Sequence, residues 1–199
     1  TPTLSSAASD VYKRQEQYND KSMENFKSGT VSIIGKPNTG KSTLINTITG
    51  RKISAVSDKP NTTRNKILGV LNSEDSQMLF LDTPGLQKSN KFLNRIMVQS
   101  SMQAISEADV ILVMIDGTKK FSEDDLNLFD KIRDKNPIVA INKIDLIKKS
   151  RILGLIEKLS DKYDFVENFI PISALNNEGT NLLLDKLKEK LPFTEKILP

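Results

Sequence analysis

Eight consecutive residues carry the strongest chemical signal in this chain. Gly35-Lys36-Pro37-Asn38-Thr39-Gly40-Lys41-Ser42 fits the pattern G-x-x-x-x-G-K-[ST], and Thr43 follows it. In such a loop the glycines let backbone N–H groups face a phosphate, the lysine reaches the β- and γ-phosphates, and the hydroxyl after it ligates Mg²⁺. The run comes after the apolar segment 31–34 and before a helical pattern, which is the context that the loop requires. It predicts a nucleotide-phosphate site with Lys41 as phosphate ligand and Ser42 as metal ligand.

A second group of candidates follows the apolar run 78–81. Asp82-Thr83-Pro84-Gly85 begins there, and Leu86 comes next. A carboxylate at a strand end can bind the water shell of Mg²⁺, and a glycine can offer its backbone N–H to a γ-phosphate. Alone, the four residues could form a simple turn. Their place about 40 residues after a phosphate loop favours the metal and γ-phosphate role.

The polar stretch 51–66 contains two adjacent threonines, Thr62 and Thr63. A hydroxyl in such a loop can complete the Mg²⁺ shell while a triphosphate is bound, and is released when the γ-phosphate leaves. The spacing does not separate the two threonines, and two plain loop threonines are an equal alternative.

Asn142-Lys143-Ile144-Asp145 follows the apolar run 138–141 and could read a base. The Asp145 carboxylate can accept both the N1–H and the 2-amino group of guanine, whereas adenine would leave it unpaired. The Asn142 amide can bond the base or the phosphate loop, and the Lys143 stem can lie across the ring. Ser173-Ala174-Leu175 follows the last apolar run, where a backbone N–H could meet guanine O6.

Composition excludes several other chemistries. The 199 residues include no His and no Cys, so imidazole catalysis, His-ligated metals, thiolate sites and disulfides are ruled out. No apolar run approaches the ~20 residues of a membrane span. The net charge of +4 is a mild imbalance, and it favours a solvated mixed surface over a nucleic-acid patch.

Short buried strands alternate with amphipathic helices along the chain. The expected strands are 31–34, 67–71, 78–81, 110–115, 138–141 and 169–172, and the pair 67–71 and 78–81 is joined by a turn. The expected helices are 42–49, 91–106, 123–134, 151–162 and one capped by Thr180. This alternation indicates an α/β fold, a mostly parallel sheet with helices on both faces, in which ligands sit beyond the carboxyl ends of the strands.

The motifs in this order resemble the Era family of bacterial ribosome-assembly GTPases, within the translation-factor-like P-loop GTPases. The likeness covers G-K-P-N-T-G-K-S-T-L-I-N, G-R-K-I-S-A-V-S, N-T-T-R-N-K-I-L-G-V, D-T-P-G-L, N-K-I-D and S-A-L-N-N-E-G-T-N, from about residue 26 to residue 191. It implies a three-layer, Ras-like G domain with six strands that binds GTP, GDP and Mg²⁺ and hydrolyses GTP. It also implies a cytoplasmic monomer that binds the small ribosomal subunit and 16S rRNA rather than DNA, with possible peripheral association with the inner face of the cell membrane.

The resemblance assigns further roles. It selects Thr63 as the switch threonine and metal ligand beside Ser42 and Asp82. Asn38 corresponds to an asparagine that helps to hold K⁺ in related potassium-stimulated GTPases. Leu86 stands where Ras-like enzymes keep a water-orienting Gln. Catalysis would then depend on Lys41, Thr63, Gly85 and Asn38 through phosphate positioning and electrostatics, and turnover without a partner would be slow.

Both ends of the chain differ from that family. Residues 1–22 include Ser5–Gln15, a run similar to a translated library adapter, and we expect a non-native or disordered extension. Residues 23–191 form the expected G domain. The family carries an rRNA-binding KH domain after it, whereas 192–199 show no G-x-x-G loop and are expected to begin a truncated linker, unless the G domain stands alone.

Three alternatives remain on the sequence. One is a related GTPase, such as the tandem-G-domain ribosome factor or the tRNA-modifying GTPase, although N-T-T-R at 61–64 argues against the tandem type. Another is a GTP-gated binding module in which hydrolysis is incidental. An ATPase is disfavoured by Asp145.

Overall fold

Six strands form one mixed sheet at the centre of the molecule. The computed structural model describes residues 26–50, 67–82, 108–121 and 128–199. The strands are β1 (Lys27–Ile34), β2 (Ile67–Asn72), β3 (Ser76–Asp82), β4 (Val110–Asp116), β5 (Ile138–Asn142) and β6 (Asn168–Pro171). They lie in the order β2-β3-β1-β4-β5-β6, and only β2 runs antiparallel to its neighbour. The expected α/β fold with a mostly parallel six-stranded sheet is confirmed.

The order in which successive strands are added to the sheet reverses at β1. This strand pairs in parallel with β3 on one side and with β4 on the other, so that Ile33 is opposite both Asp82 and Leu112. On the far side of β4, Asp116 is opposite Asn142 of β5. The loops that follow β1, β3, β4 and β5 therefore leave from one edge of the sheet. Such a reversal point is where open α/β sheets bind their ligands.

Two apolar layers cover the two faces of the sheet. The helices are α1 (Lys41–Ile48), α2 (Lys149–Lys162) and α3 (Thr180–Lys190), and residues 128–131 are also helical. Leu44 of α1 and Leu183 of α3 belong to one core cluster. Leu159 of α2 and Phe129, in the helical residues 128–131, belong to the other.

The central strand β4 contributes to both layers. Val110, Leu112 and Met114 face the first cluster, and Ile111, Val113 and Ile115 face the second. Because both faces of a parallel strand are covered, six consecutive apolar residues are needed there. The prediction of a buried strand over 110–115 is confirmed.

The start of β1 and the start of α3 differ from the prediction for identifiable reasons. β1 begins at Lys27, four residues before the expected start, because its early residues pair with β3 although they are not apolar. Thr180 is the first residue of α3 and not its cap. The cap is Gly179, with φ of 72°, where a Cβ atom would lie 2.4 Å from the Pro171 carbonyl oxygen. Only glycine fits that conformation and that approach.

The remaining helix predictions are confirmed to different extents. Helix 42–49 corresponds to α1 and helix 151–162 to α2, each beginning slightly earlier than expected. Of helix 123–134, residues 128–131 are helical and Arg133–Lys135 form a short 3₁₀ turn. The expected loop 51–66 and helix 91–106 lie outside the described residues. Within the described ranges no helix is both long and apolar enough to cross a membrane.

The last residues of the chain lie against the sheet at the edge opposite the motif loops. The Ser28 N–H donates to the Pro192 carbonyl at 3.1 Å, and the Thr194 N–H donates to the Phe26 carbonyl at 3.1 Å. The buried Gln77 side chain donates to the Leu198 carbonyl at 3.0 Å and accepts from its N–H at 2.8 Å. This tail, residues 192–199, is thus attached to the sheet by backbone hydrogen bonds and by the Gln77 side chain.

Candidate functional site

The phosphate loop leaves β1 and turns directly into α1. Gly35 is packed so closely that a Cβ atom would lie 2.5 Å from the Met114 carbonyl oxygen. Gly40 has φ of 100°, and a Cβ atom there would lie 2.2 Å from Nδ2 of Asn142. Both glycines are therefore required by the backbone path, as the motif predicts.

Lys41 lies over the loop rather than pointing away from it. Its ammonium group donates to the carbonyl of Gly35 at 2.7 Å and to the carbonyl of Lys36 at 2.9 Å. Thr39 closes the turn, since its hydroxyl donates to the same Lys36 carbonyl at 2.9 Å. A fixed positive charge thus lies beside the amino-terminal end of α1, where helix N–H groups already favour an anion.

Asn142 joins three of the motif loops through one buried amide. Its Nδ2 donates to the Thr39 carbonyl at 2.7 Å, and its Oδ1 accepts from the Ala174 N–H at 2.9 Å. Because the side chain is only 2% exposed, each of these bonds replaces water that the amide has lost. The phosphate loop, the Asn142–Asp145 loop and the Ser173–Leu175 loop are held together as one site.

Asp145 is oriented by the neighbouring loop. The Ser173 hydroxyl donates to Oδ1 of Asp145 at 2.6 Å and accepts from the Asn176 N–H at 3.2 Å. The carboxylate itself is exposed at the edge of the sheet. It is thus held in place by one contact while it stays accessible to a planar ligand that carries two donors.

The two remaining N–H groups of the Ser173–Leu175 loop differ in availability. The Ser173 N–H donates to the Glu178 carbonyl at 2.9 Å, whereas Leu175 is 74% exposed. The Ala174 N–H already serves Asn142, so it could bond a guanine O6 only by sharing its hydrogen.

Lys143 is held by a contact that the sequence analysis missed. Its backbone has φ of 68°, and its ammonium group donates to Oδ2 of Asp116 at 2.7 Å. Oδ1 of Asp116 accepts from the Thr118 N–H at 3.0 Å. Burial opposes ionisation of Asp116, but the hydrogen bonds from Lys143 and Thr118 outweigh it and lower the pKa of this carboxyl. Asp116 follows the apolar run 110–115 as Asp82 follows the run 78–81, so an acidic residue at the end of a strand was the available signal.

A second missed contact connects the first helix to the base-side loop. The Thr47 hydroxyl of α1 donates to the Ala174 carbonyl at 2.7 Å. Both backbone polar groups of Ala174 are therefore engaged, the C=O by Thr47 and the N–H by Asn142. A lone threonine in a helix gives no sequence signal for such a contact.

The comparisons with known proteins agree with this geometry. A family model described as 50S ribosome-binding GTPase matches residues 30–143, more than half of the chain. That segment begins in β1 and ends within the Asn142–Asp145 loop, so it contains the phosphate loop and the Asn142 side chain that closes on it.

The chain belongs to this GTPase family.

Individual relatives of the family confirm the resemblance to Era. The GTPase Era of Ruminiclostridium cellulolyticum is 42% identical over 180 residues, which is 87% of this chain and 60% of that protein. A crystal structure of an Aquifex aeolicus Era variant bound to GDP·AlF₄⁻ and one of Era with MgGDPNP and 16S rRNA nucleotides 1506–1542 are each 40% identical with a TM-score of 0.75. Both alignments cover 87% of this chain and 60% of the other. The chain spans about three fifths of the length of the curated relatives that it matches.

Several predicted site residues cannot be placed. Thr62, Thr63, Thr83, Pro84, Gly85 and Leu86 lie outside the described residues. Asp82 is described as the last residue of β3, opposite Ile33, one position before the final residue of β1. Its backbone is therefore at the same edge of the sheet as the phosphate loop.

The candidate ligands fit a magnesium ion whose coordination shell is completed by water and by the phosphates of a nucleotide. Within the described parts of the chain, no group of three or more acidic residues could hold a metal by itself. Mg²⁺ usually takes one or two protein ligands, with water and phosphate oxygens in the other positions. Ser42, exposed in the first turn of α1, and Asp82, at the adjacent strand end, are consistent with that arrangement.

Proposed function

We propose that this chain is the G domain of an Era-type GTPase, which binds guanine nucleotide with Mg²⁺ and hydrolyses GTP. The observation that supports it most directly is the buried Asn142 amide, which joins the phosphate loop to the Ser173–Leu175 loop. This contact supports the proposal that residues 35–42 bind phosphate and that Asp145 reads the base of the same nucleotide. The G domain would extend over residues 23–191.

Each motif residue then has a defined task. Backbone N–H groups of residues 35–43 and the Lys41 ammonium group hold the phosphates. Ser42 and Asp82 would hold Mg²⁺, and Thr63 would join them while a triphosphate is bound. Asp145 accepts the two donors of guanine, Lys143 lies along the base, and a backbone N–H of the Ser173–Leu175 loop meets O6. Bound Mg²⁺ supplies charge neutralisation at the phosphates.

Hydrolysis would depend on positioning and electrostatics alone. The chain contains no histidine, and Leu86 cannot orient a water molecule. Lys41, Gly85 and Thr63 would surround the γ-phosphate, with Asn38 supporting a K⁺ ion beside it. Asn38 is exposed in the phosphate loop with φ of 65°, so its side chain stands at the surface of the loop. Turnover is expected to be slow without a partner and faster in K⁺ than in Na⁺.

The cellular role follows from the relatives. A solved Era structure contains a segment of 16S rRNA, so we propose a switch function in assembly of the small ribosomal subunit. The rRNA contact itself would belong to a further domain in the whole protein, reached through residues 192–199. We place the protein in the cytoplasm as a monomer, and peripheral association with the cell membrane stays a prediction.

Nucleotide choice tests the proposal most directly. Asp145→Asn replaces an acceptor of two hydrogen bonds by an amide, which matches the 2-oxo group of xanthine instead of the 2-amino group of guanine. We expect isothermal calorimetry to show that the variant loses GTP affinity by at least about tenfold and gains affinity for xanthosine triphosphate. The unaltered chain should prefer GTP to ATP.

Leu175→Ala is the matched control, because it alters an exposed side chain in the neighbouring loop and keeps the carboxylate. It should leave the preference for GTP unchanged. Equal binding of GTP and ATP by the unaltered chain, or unchanged GTP binding by Asp145→Asn, would refute the assignment of the base reader.

A further inference from the structure

A basic cleft opens between α2 and the turn after β4, away from the phosphate loop. Its volume is about 480 Å³. Five cationic side chains line it: Lys119, Lys120, Arg151, Lys158 and Lys162. Three of these cations lie on α2: Arg151, Lys158 seven positions later, and Lys162 four positions after that. These spacings put them on one face of the helix, in a row about 16 Å long.

The floor of the cleft is apolar and partly aromatic. Phe121, Leu155, Leu159 and Tyr163 line it. The Phe121 ring is partly exposed and lies 6.4 Å from the Tyr163 ring, centroid to centroid, which supports it from the core side. Gly154 lines the cleft without a side chain, and no atom of the described residues lies within 4 Å of where its Cβ would be. The cleft is therefore open over its helical wall.

Among the described residues, few acidic groups compensate the charge of the cleft. Between described residues, only Lys119 has an ion pair, at 3.9 Å to Asp116, while Arg151 donates to the Thr118 carbonyl at 3.0 Å. The exposed acids of α2, Glu157 and Asp161, do not line the cleft. Glu123, Asp124 and Asp125, which follow Phe121 in the sequence, lie outside the described residues.

We propose that this cleft binds single-stranded nucleic acid. A row of cations beside an exposed aromatic ring is the arrangement by which proteins hold an unpaired strand, with phosphates along the charges and a base on the ring. An acidic peptide would satisfy the cations but would have no planar group for Phe121. The cleft is separate from the nucleotide site, because none of its lining residues belongs to the four motif loops.

The test is titration of a labelled oligouridylate, followed by fluorescence anisotropy at several salt concentrations. Lys158→Gln combined with Lys162→Gln should weaken binding by about tenfold, and should lower the slope of log affinity against log salt by about 1.4, since each lost phosphate contact removes about 0.7. Phe121→Leu should weaken binding by about fivefold with an unchanged slope, because it removes only the stacking surface.

Lys131→Gln combined with Lys135→Gln is the matched control, since it removes two exposed charges outside the cleft. It should change neither affinity nor slope. Circular dichroism and GTP calorimetry should be unaltered in all of these variants, so failure here is distinguishable from failure of the GTPase assignment. Equal weakening by the control pair, an unaffected Phe121→Leu variant, or displacement of the RNA by polyglutamate of equal charge would overturn the proposal.

Discussion

Single residues in the phosphate loop are constrained by backbone geometry as much as by chemistry. Gly40→Ala would force an L-residue into φ of 100° and bring its Cβ to within 2.2 Å of the Asn142 amide nitrogen. The Asn142 bonds to Thr39 and Ala174 would then be disturbed. We expect a loss of about 3 kcal/mol in the free energy of unfolding, measured in urea, together with loss of nucleotide affinity.

Gly50→Ala separates the backbone strain of a positive φ from the steric clash with Asn142. Gly50 also has a positive φ, of 61°, but no atom of the residues that the structure describes lies within 4 Å of where its Cβ would be. This variant should cost only about 1 kcal/mol of backbone strain and leave nucleotide binding intact. If both variants lost the same stability, the contact with Asn142 would not explain the requirement for Gly40.

The Asp116–Lys143 pair predicts a pH dependence. The pKa of Asp116 is lower when folded, so its stabilisation is complete well above the ordinary value of 3.8 and is lost as the pH falls through 3.8 and below. The free energy of unfolding should fall in that window. Asp116→Asn should be less stable at neutral pH and should show a smaller decline on acidification. Parallel stability–pH curves for the two proteins would contradict the assignment.

At the scale of elements, α2 contains an interior glycine without an evident packing requirement. Gly154 lies near the middle of the helix, and a methyl group there would meet no atom within 4 Å in the described parts of the chain. Gly154→Ala should therefore stabilise the protein by about 0.5–1 kcal/mol, because alanine loses less backbone entropy on folding. Thermal unfolding measures this change.

Gly179→Ala gives the opposite expectation at the start of α3. The positive φ and the 2.4 Å approach to the Pro171 carbonyl oxygen should make it destabilising by about 2 kcal/mol or more. A destabilised Gly154→Ala variant, or a neutral Gly179→Ala variant, would show that the helix environments differ from those described.

At the scale of the whole molecule, the tail 192–199 is attached to strands β1 and β3. Gln77 holds the Leu198 peptide by two hydrogen bonds and is itself 1% exposed. Gln77→Met keeps the side-chain length but removes both bonds to Leu198, together with the bond that Nε2 donates to Asn72 Oδ1 at 2.8 Å. Amide hydrogen exchange should accelerate at residues 194–198, with about 1 kcal/mol lost from global stability. Glu195→Gln, at an exposed position of the same tail, should leave exchange unchanged.

The sequence by itself determined the class of fold, and it named the candidate site residues. Apolar runs such as 110–115 and the motif spacing are local, and the carboxyl ends of parallel strands share an edge, so neighbouring loops were expected to converge. The Gly35–Ser42 loop and the Asn142–Asp145 loop lie at that edge. The roles of their side chains toward a nucleotide stay predictions.

The tertiary structure decided which residues of different segments touch. Asn142 contacts Thr39 and Ala174, and Asp116 contacts Lys143, although these pairs are distant in sequence and no periodicity encodes them. The net charge of +4 indicated a mixed surface, yet the helical repeat of α2 and the turn after β4 gather five cations around one cleft. Composition counts charges, whereas only the packing of separate segments sets their distances and therefore their combined field.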